Sequence, residues 1–297
     1  MRTLVAGHVT HDHYAEGFVA GGCAFYGAKV HDRLDGETHL VTVVGDDFTR
    51  DDEIADLDAT IRRSGETTVF ANYYPPDEPR IQLLEVRAPE VTPELAPPEW
   101  LDADLVHLAP VLGEIDLSAW KRAVGDGMLA INIQGWIKDA ADPVEPSRLE
   151  EIQRRGVSGE ARRVAQRLWE VSEEDLDGVA VACLGEEDVI DQPGLLDKLV
   201  SAVPVVAFTL GERGSRIFVD GESTEVGIYE TEASDPTGAG DVFAAGFTHK
   251  LAAGVDPIEA ARFAAACASV VVEETGARAL TRLDEASARA ERVPVFD

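Results

Sequence analysis

The sequence is poor in cationic side chains. Its 297 residues include 26 Lys and Arg against 56 Asp and Glu, which leaves a formal charge of −30. A chain this acidic repels nucleic acids and anionic membrane surfaces, so we expect neither as a partner. Any phosphate it binds must be held by local features of the backbone. Dense surface carboxylates suit a cytoplasm rich in salt, where charge repulsion is screened over short distances, and we expect a halophilic source.

Cysteines and long apolar runs are also scarce. Cys23, Cys183 and Cys267 are scattered, without a CxxC pair, which excludes a disulfide framework and a cysteine-based metal cage. No apolar run approaches the roughly 18 residues of a membrane span, and the first residues lack the apolar core of a signal peptide. We therefore expect a soluble, cytoplasmic protein.

Short continuous apolar runs recur along the chain, separated by charged or helical segments. Continuous runs are typical of parallel strands that are covered on both faces. The sequence therefore predicts one α/β domain over residues 1–297, with a central, mostly parallel sheet, helices on both faces, and ligands at the carboxyl ends of the strands. The predicted strands are residues 3–7, 39–45, 105–110, 128–135, 179–185 and 203–211.

Residues 67–88 depart from this alternation. They predict two strands around a Pro-Pro turn and, together with residues 8–20, a small β lid on the sheet. Tyr73 and Tyr74 in this segment fit either an apolar edge over a substrate or a homodimer contact through the lid. The mostly charged residues 139–170 predict a solvated loop and a helix.

The segment "ASDPTGAGDVFAAGF", residues 233–247, combines a turn with the start of a helix. Gly238 and Gly240 permit backbone angles and close approaches that other residues resist, and the helical pattern from Asp241 ends near Gly254. Free N–H groups at the start of that helix, reinforced by its dipole, predict an anion site that needs no lysine.

Asp241 would face the same anion. A carboxylate beside a phosphate site suggests a general base that acts on an attacking hydroxyl. The alternative is that Asp241 only begins a helix, as acidic residues often do. The glycines fit neither a dinucleotide-binding fingerprint, which needs a small residue where Phe243 stands, nor a Walker loop, since Gly-Lys-Ser/Thr does not occur.

The segment "DPTGAGDVFAAGF" resembles the carboxyl-terminal signature of the ribokinase-like, or PfkB, carbohydrate kinases. Other segments resemble the family in the same order along the chain: "VAGHVTHDHY" with its substrate aspartate, "GGCAFYGA" with its Gly-Gly hinge, "VTVVGDDF", and "FTLGERGSRIF" with its nucleotide loop.

The resemblance implies an ATP- and Mg²⁺-dependent kinase of a small polyhydroxylated substrate. Asp241 would be the general base, and the amides of Gly238, Ala239 and Gly240 would stabilise the transferring phosphoryl group. The other implied residues are Asp12, Gly21, Gly22, Tyr26 and Gln134 for the substrate and Thr209, Gly211 and Gly214 for the nucleotide.

Two departures from the family pattern affect the predicted site. The best match to the family's Asn-x-x-Glu element is "SEED", which makes Asp175 a candidate ligand of magnesium through water. Tyr26 replaces an Asn that many members carry, and "NIQGWIK" around Gln134 resembles members that act on myo-inositol.

Three other interpretations stay open. His8, His11 and His13 around Asp12 could ligate zinc, although no fourth protein ligand is evident. A ligand-binding regulator could have kept the fold without turnover, and a nucleoside could replace the sugar as substrate.

Overall fold

The computed structural model describes residues 1–14, 17–34, 36–73, 81–143, 157 and 160–296. The strands of this part of the chain are β1 Arg2–Ala6, β2 Thr10–Tyr14, β3 Gly17–Gly21, β4 Glu37–Val44, β5 Asp58–Arg63, β6 Val69–Tyr73, β7 Ile81–Val86, β8 Leu105–Leu108, β9 Met128–Asn132, β10 Lys138–Pro143, β11 Arg162–Gln166, β12 Val181–Gly185, β13 Val205–Thr209, β14 Ser215–Val219, β15 Glu222–Val226 and β16 Val295–Phe296.

The α-helices of the same part are α1 Cys23–Arg33, α2 Asp51–Ile54, α3 Leu117–Ala123, α4 Gln134–Ile137, α5 Glu173–Leu176, α6 Leu195–Ala202, α7 Ala239–Ala252, α8 Pro257–Val271 and α9 Ala286–Ala290. Short 3₁₀ turns follow several strands, including Glu186–Val189 after β12 and Gly211–Arg213 after β13. None of the helices in the described ranges is long and apolar enough to cross a membrane.

The large sheet has ten strands in the order β16-β15-β14-β13-β12-β9-β8-β1-β4-β5. Every pairing from β13 across to β5 is parallel, and β14, β15 and β16 extend the sheet with antiparallel pairings. The prediction of an α/β fold with a mostly parallel central sheet is therefore confirmed. Its six predicted apolar runs form β1, β4, β8, β9, β12 and β13.

Neighbouring residues of one strand show that both faces of the large sheet are covered. Val5 belongs to an apolar cluster with residues of α1, α7 and α8, whereas Leu4 belongs to a second cluster with Trp120 of α3 and Leu199 of α6. All four side chains are fully buried. Burial on both faces explains why the strands are continuous apolar runs in the sequence.

The second, smaller sheet has the strand order β10-β11-β7-β6-β2-β3. Four of its strands come from the two segments predicted to form a small β lid. The expected loop and helix at residues 139–170 are wrong where the structure describes them, because Lys138–Pro143 and Arg162–Gln166 pair as antiparallel strands. Charged side chains such as Arg162 and Arg163 are tolerated there because they lie on the solvent-exposed part of the strand.

Candidate active site

A cavity of about 310 Å³ lies at the carboxyl ends of the large sheet's central strands, and residues of the small sheet, such as Asn72 and Gln82, also line it. The sequence-predicted residues that line it are Asp12, Gly22, Tyr26, Gln134, Thr209, Gly211, Gly238, Gly240 and Asp241. The other predicted residues, Gly21, Asp175, Gly214 and Ala239, lie outside this lining.

The turn before α7 brings a helix N-terminus to the cavity. Gly238 takes a left-handed φ of 82° as N-cap, and the Thr237 amide donates to Asp235 Oδ1 over 2.9 Å. The Ala239 amide donates to the Pro236 carbonyl oxygen at 3.2 Å, so it is already engaged within the turn. The amides at this helix start that lie outside the helical hydrogen-bond ladder, and that the turn does not engage, are those of Gly238, Gly240 and Asp241.

The Asp241 carboxylate interacts with the buried thiol of Cys23. Burial, and then the neighbouring carboxylate, raises the pKa of Cys23 well above its usual range, so the thiol is neutral. Gln134 donates its amide to Cys23 Sγ, and Lys138 Nζ donates to Gln134 Oε1 over 2.9 Å. Lys138 is the only Lys or Arg among the described residues of the lining.

Asp12 projects from β2 and is 7% exposed. Thr10 Oγ1 donates to its Oδ1 over 2.9 Å. Gly21 does not face the cavity itself, but a Cβ at that position would lie 2.2 Å from Asp12 Oδ2. Gly21 therefore leaves the room that the Asp12 carboxylate occupies.

Tyr26 is 1% exposed, and its ring lies directly against the backbone of Gly238. Its hydroxyl is buried and has no hydrogen-bond partner among the described residues. Burial is the largest cause that raises the pKa of Tyr26 well above its usual range, and Asp12 and Asp241 add to it. A neutral, unpartnered hydroxyl at the cavity lining is suited to hydrogen-bond a bound ligand.

The opposite end of the cavity is formed by the turn between β13 and β14. Thr209 and Gly211 line the cavity there. Gly214 closes the turn with a φ of 88°, and its carbonyl oxygen accepts from the Leu210 amide over 2.7 Å. A Cβ on Gly214 would lie 2.2 Å from the Val226 carbonyl oxygen. Gly214 therefore shapes the turn and makes no lining contact of its own.

Asp175, the candidate magnesium ligand, lies outside the cavity lining. Its Oδ2 accepts from the Ser172 amide over 2.9 Å and from the Ser172 hydroxyl, in a capping box at the start of α5. The acidic group at the cavity follows β12 instead and consists of Glu186, Glu187 and Asp188. Its position at the carboxyl end of a predicted strand was the sequence signal for it.

The three histidines that could have formed a zinc site have different partners. His8 Nε2 lies 2.7 Å from the Pro89 carbonyl oxygen, His11 stacks between Phe18 and Phe48, and His13 Nδ1 lies 2.7 Å from Glu85 Oε1. The described ranges contain no group of three or more potential metal ligands. Tyr74, which the sequence placed in the lid, lies outside the described residues.

Sequence reasoning missed other lining residues, among them Cys23, Lys138 and Asn132. Cys23 and Lys138 lie in segments that were recognised, and Asn132 lies within the predicted strand 128–135 but ends the observed strand β9. Asn132 is 4% exposed, and its Oδ1 lies 2.9 Å from His107 Nε2. Only its place near the end of a strand could have indicated it.

Comparison with known proteins matches residues 168–283 to the description pfkB family carbohydrate kinase. A cytidine kinase from Thermococcus kodakarensis is 28% identical over 239 residues, which are 77% of this chain and 76% of that enzyme. A nucleoside kinase from Methanothermobacter thermautotrophicus is 43% identical over 72 residues, and this match spans only 24% of this chain and 23% of that enzyme.

Solved structures share the fold. A pyrophosphate-dependent kinase in the ribokinase family, complexed with a pyrophosphate analog and myo-inositol, superposes with a TM-score of 0.71 at 22% identity over 93% of this chain and 96% of its own. Arabidopsis thaliana ribokinase complexed with ribose and ATP gives a TM-score of 0.67 at 19% identity, over 98% of both chains.

These comparisons place the fold in one class, the ribokinase-like fold, and liken the carboxyl-terminal segment to carbohydrate and nucleoside kinases. The chain has a ribokinase-like fold, and its residues 168–283 are similar to the pfkB carbohydrate kinases that its motifs resemble.

Proposed function

We propose that this protein transfers the γ-phosphoryl group of ATP to a hydroxyl of a small sugar or polyol. The observation that carries the proposal is that Asp12, Asp241 and the N-terminus of α7 all line one cavity. A substrate carboxylate, a general base and an anion site are the three parts that in-line phosphoryl transfer to an alcohol requires.

Asp12 would bind the acceptor. Its carboxylate accepts readily from vicinal hydroxyl groups. Asn72 and Gln82 of the small sheet line the cavity with amide groups that can also hydrogen-bond a polyol. The neutral Tyr26 hydroxyl adds a donor between Asp12 and Asp241. A substrate rich in hydroxyls fits this set better than an apolar one, because buried polar groups left unpaired cost binding energy.

Asp241 would take the proton of the attacking hydroxyl while amides of the α7 N-terminus stabilise charge on the phosphoryl group. These amide N–H groups already point toward the position of the developing charge, so they need no reorganisation in the transition state. They can therefore stabilise that charge although the described cavity lining has a single cationic side chain. The Cys23 thiol would hold the Asp241 carboxylate in place between Gln134 and α7. Lys138 would be available to a phosphate oxygen, since it is the one cationic side chain of the described lining.

Magnesium would enter with the phosphates of the donor, because the described residues hold no ready group of three metal ligands. In the acidic group after β12, Glu186 pairs with Arg213 and Asp188 accepts from the Gly185 amide. The Glu187 carboxylate of this group would be offered to Mg²⁺ in the cavity that Thr209 and Gly211 also line. A bound Mg²⁺ would neutralise charge on the phosphates. Asp175 does not fit this role, because its carboxylate caps α5 outside the cavity.

The small sheet would form one side of the substrate site within a single domain over residues 1–297. Tyr14 of β2 donates to Asp235 Oδ2 over 2.9 Å, which links this sheet to the turn before α7. A homodimer through the same sheet remains a prediction.

Two observations favour particular substrates. The cytidine kinase matches most of the chain, which favours a nucleoside as the alternative acceptor. The pyrophosphate-dependent kinase complexed with myo-inositol shares the fold, which makes myo-inositol the first polyol and pyrophosphate the second donor to test.

The test is a phosphoryl-transfer assay of the purified protein in molar KCl with Mg²⁺. ATP and pyrophosphate are each paired with ribose, other sugars, myo-inositol, cytidine and other nucleosides, and the phosphorylated product is identified. The Asp241→Asn variant is the control for contaminating kinases. Turnover with a sugar or polyol that this variant loses supports the proposal. Saturable binding without turnover for any pair would instead favour a regulator with a kinase fold.

A further inference from the structure

Three buried histidines form a hydrogen-bonded chain that ends at the cavity. They come from separate elements: His31 from α1, His107 from β8 and His249 from α7. His31 Nδ1 lies 3.3 Å from His249 Nδ1, and His31 Nε2 lies 3.1 Å from His107 Nδ1. His107 Nε2 then meets Asn132 Oδ1 at 2.9 Å. His31 and His107 are fully buried, and His249 is 7% exposed.

Burial keeps the inner members of this chain neutral. It lowers the pKa of His31 well below its usual range, and it lowers the pKa of His107 to about 4. A neutral imidazole has one N–H donor and one acceptor nitrogen. The consecutive hydrogen bonds must therefore all point the same way, either toward Asn132 or away from it.

The orientation of Asn132 and the direction of the chain are linked. With Oδ1 toward His107, as in this structure, the amide oxygen accepts and His107 Nε2 carries the proton. His107 Nδ1 then accepts from His31 Nε2, and His31 Nδ1 accepts from His249 Nδ1. Because Oδ1 faces His107, the Nδ2 group of Asn132 is directed toward the cavity.

The charge of the cavity favours the same orientation. Among the described residues, its lining contains five carboxylate side chains and one lysine, the acids being Asp12, Glu186, Glu187, Asp188 and Asp241. An amide N–H₂ group is more stable than an amide oxygen in this negative environment. Asn132 lines the cavity, and only 4% of the residue is exposed. A ligand bound there would exclude water from an amide donor, which is costly unless the ligand accepts a hydrogen bond from it.

We propose that the three histidines hold Asn132 with Nδ2 toward the cavity, where it donates to an oxygen of the bound ligand. Asn132 is then a specificity-determining ligand contact, and His107 is a positioning residue. The inference rests on the proposed function for the ligand, whose oxygen belongs either to the phosphate chain of the donor or to a hydroxyl of the acceptor.

The proton positions can be tested without any substrate. ¹⁵N NMR of imidazole-labelled protein in molar KCl distinguishes protonated from unprotonated ring nitrogens. The expected result is a proton on Nε2 of His107 and His31 and on Nδ1 of His249, with resonances assigned by replacing one histidine at a time. A proton on Nδ1 of His107 would reverse the chain, direct Oδ1 of Asn132 at the ligand, and overturn the proposal.

Ligand binding provides the second test. Asn132→Asp has the same shape but offers only acceptor oxygens. It should weaken binding of the ligand that supplies the oxygen by about 10- to 100-fold, the usual range for a lost hydrogen bond to a charged or strongly polar group. Separate calorimetric titrations with ATP, with pyrophosphate and with the alcohol substrate show whether the phosphate donor or the alcohol substrate supplies the oxygen that Asn132 contacts. Unchanged affinity for all three would contradict the contact.

Variants of His107 separate positioning from packing. His107→Gln keeps a hydrogen-bond donor and an acceptor and should retain most of the ligand affinity. His107→Leu should weaken ligand binding by about the same factor as Asn132→Asp. His39→Leu, at a mostly buried histidine stacked on Trp100 and outside the cavity lining, is the matched control. If His107→Leu binds like wild type, the positioning role is wrong. A wild-type protein that binds these ligands without turnover would refute the kinase assignment and leave this inference standing.

Discussion

Replacing Gly238 with Ala tests how the turn before α7 and the ring of Tyr26 hold the anion site together. Gly238 has a φ of 82°, and an added Cβ would lie 2.6 Å from Cζ of Tyr26. The substitution therefore introduces a strained backbone conformation and a steric clash at the same point. Both act on the residue that caps α7.

The two costs can be worked out separately. A left-handed conformation costs an ordinary L residue about 1–2 kcal/mol. Displacing the buried Tyr26 ring adds roughly 1–3 kcal/mol, the range for overpacking a filled interior. We expect the free energy of unfolding to fall by the sum of these terms. We expect kcat to fall about 100-fold, because a displacement of about 1 Å of aimed catalytic groups has an effect of that size.

Gly254→Ala is the matched control at the other end of α7. Gly254 has a φ of 79°, but no atom lies within 4 Å of an added Cβ. The free energy of unfolding of Gly254→Ala should fall only by the cost of the left-handed backbone, and its kcat should stay at the wild-type value. The measurements are thermal unfolding and steady-state kinetics in molar KCl. If the two variants lost the same stability and both kept the wild-type kcat, the argument that Tyr26 and Gly238 fix the anion site would be refuted.

Four other outcomes are expected. Asp241→Asn should lower kcat by about 10²- to 10⁴-fold with little change in KM for ATP, and an unchanged kcat would remove the general base. Asp175→Ala should lower the melting temperature slightly, through the lost capping-box contact with Ser172, while kcat stays at the wild-type value; a large loss of kcat would place Asp175 in the site. Glu273 has a pKa lowered to about 2, chiefly by hydrogen bonds from Arg289. The ionised carboxylate of Glu273 therefore stabilises the fold fully above the unfolded pKa near 4.5, and this stabilisation is lost as the pH falls toward 2. Acid unfolding of Glu273→Gln should therefore depend less on pH than that of wild type over this range, and identical profiles would contradict the ion pair. The charge of −30 predicts a melting temperature that rises from dilute buffer to molar KCl, and a constant value would count against adaptation to high salt.

The acidic segments show where sequence reasoning failed and why. "SEED" at residues 172–175 and "GEED" at residues 185–188 have the same spacing, and each forms a cap in which the fourth residue accepts from the first residue's amide. The local pattern cannot distinguish them. Only Asp188 follows a central strand of the large sheet directly, and this placement brings it to the cavity.

The sequence by itself determined the features that depend on neighbours along the chain. The apolar runs specified the parallel strands, and Gly238 specified the turn that begins α7, because strand burial and left-handed φ angles are properties of a few consecutive residues. The tertiary structure decided which distant side chains meet. The contact of Cys23 with Asp241 and the histidine chain behind Asn132 each join separate elements, and no local periodicity encodes such contacts, because they arise only when the helices pack on the sheet.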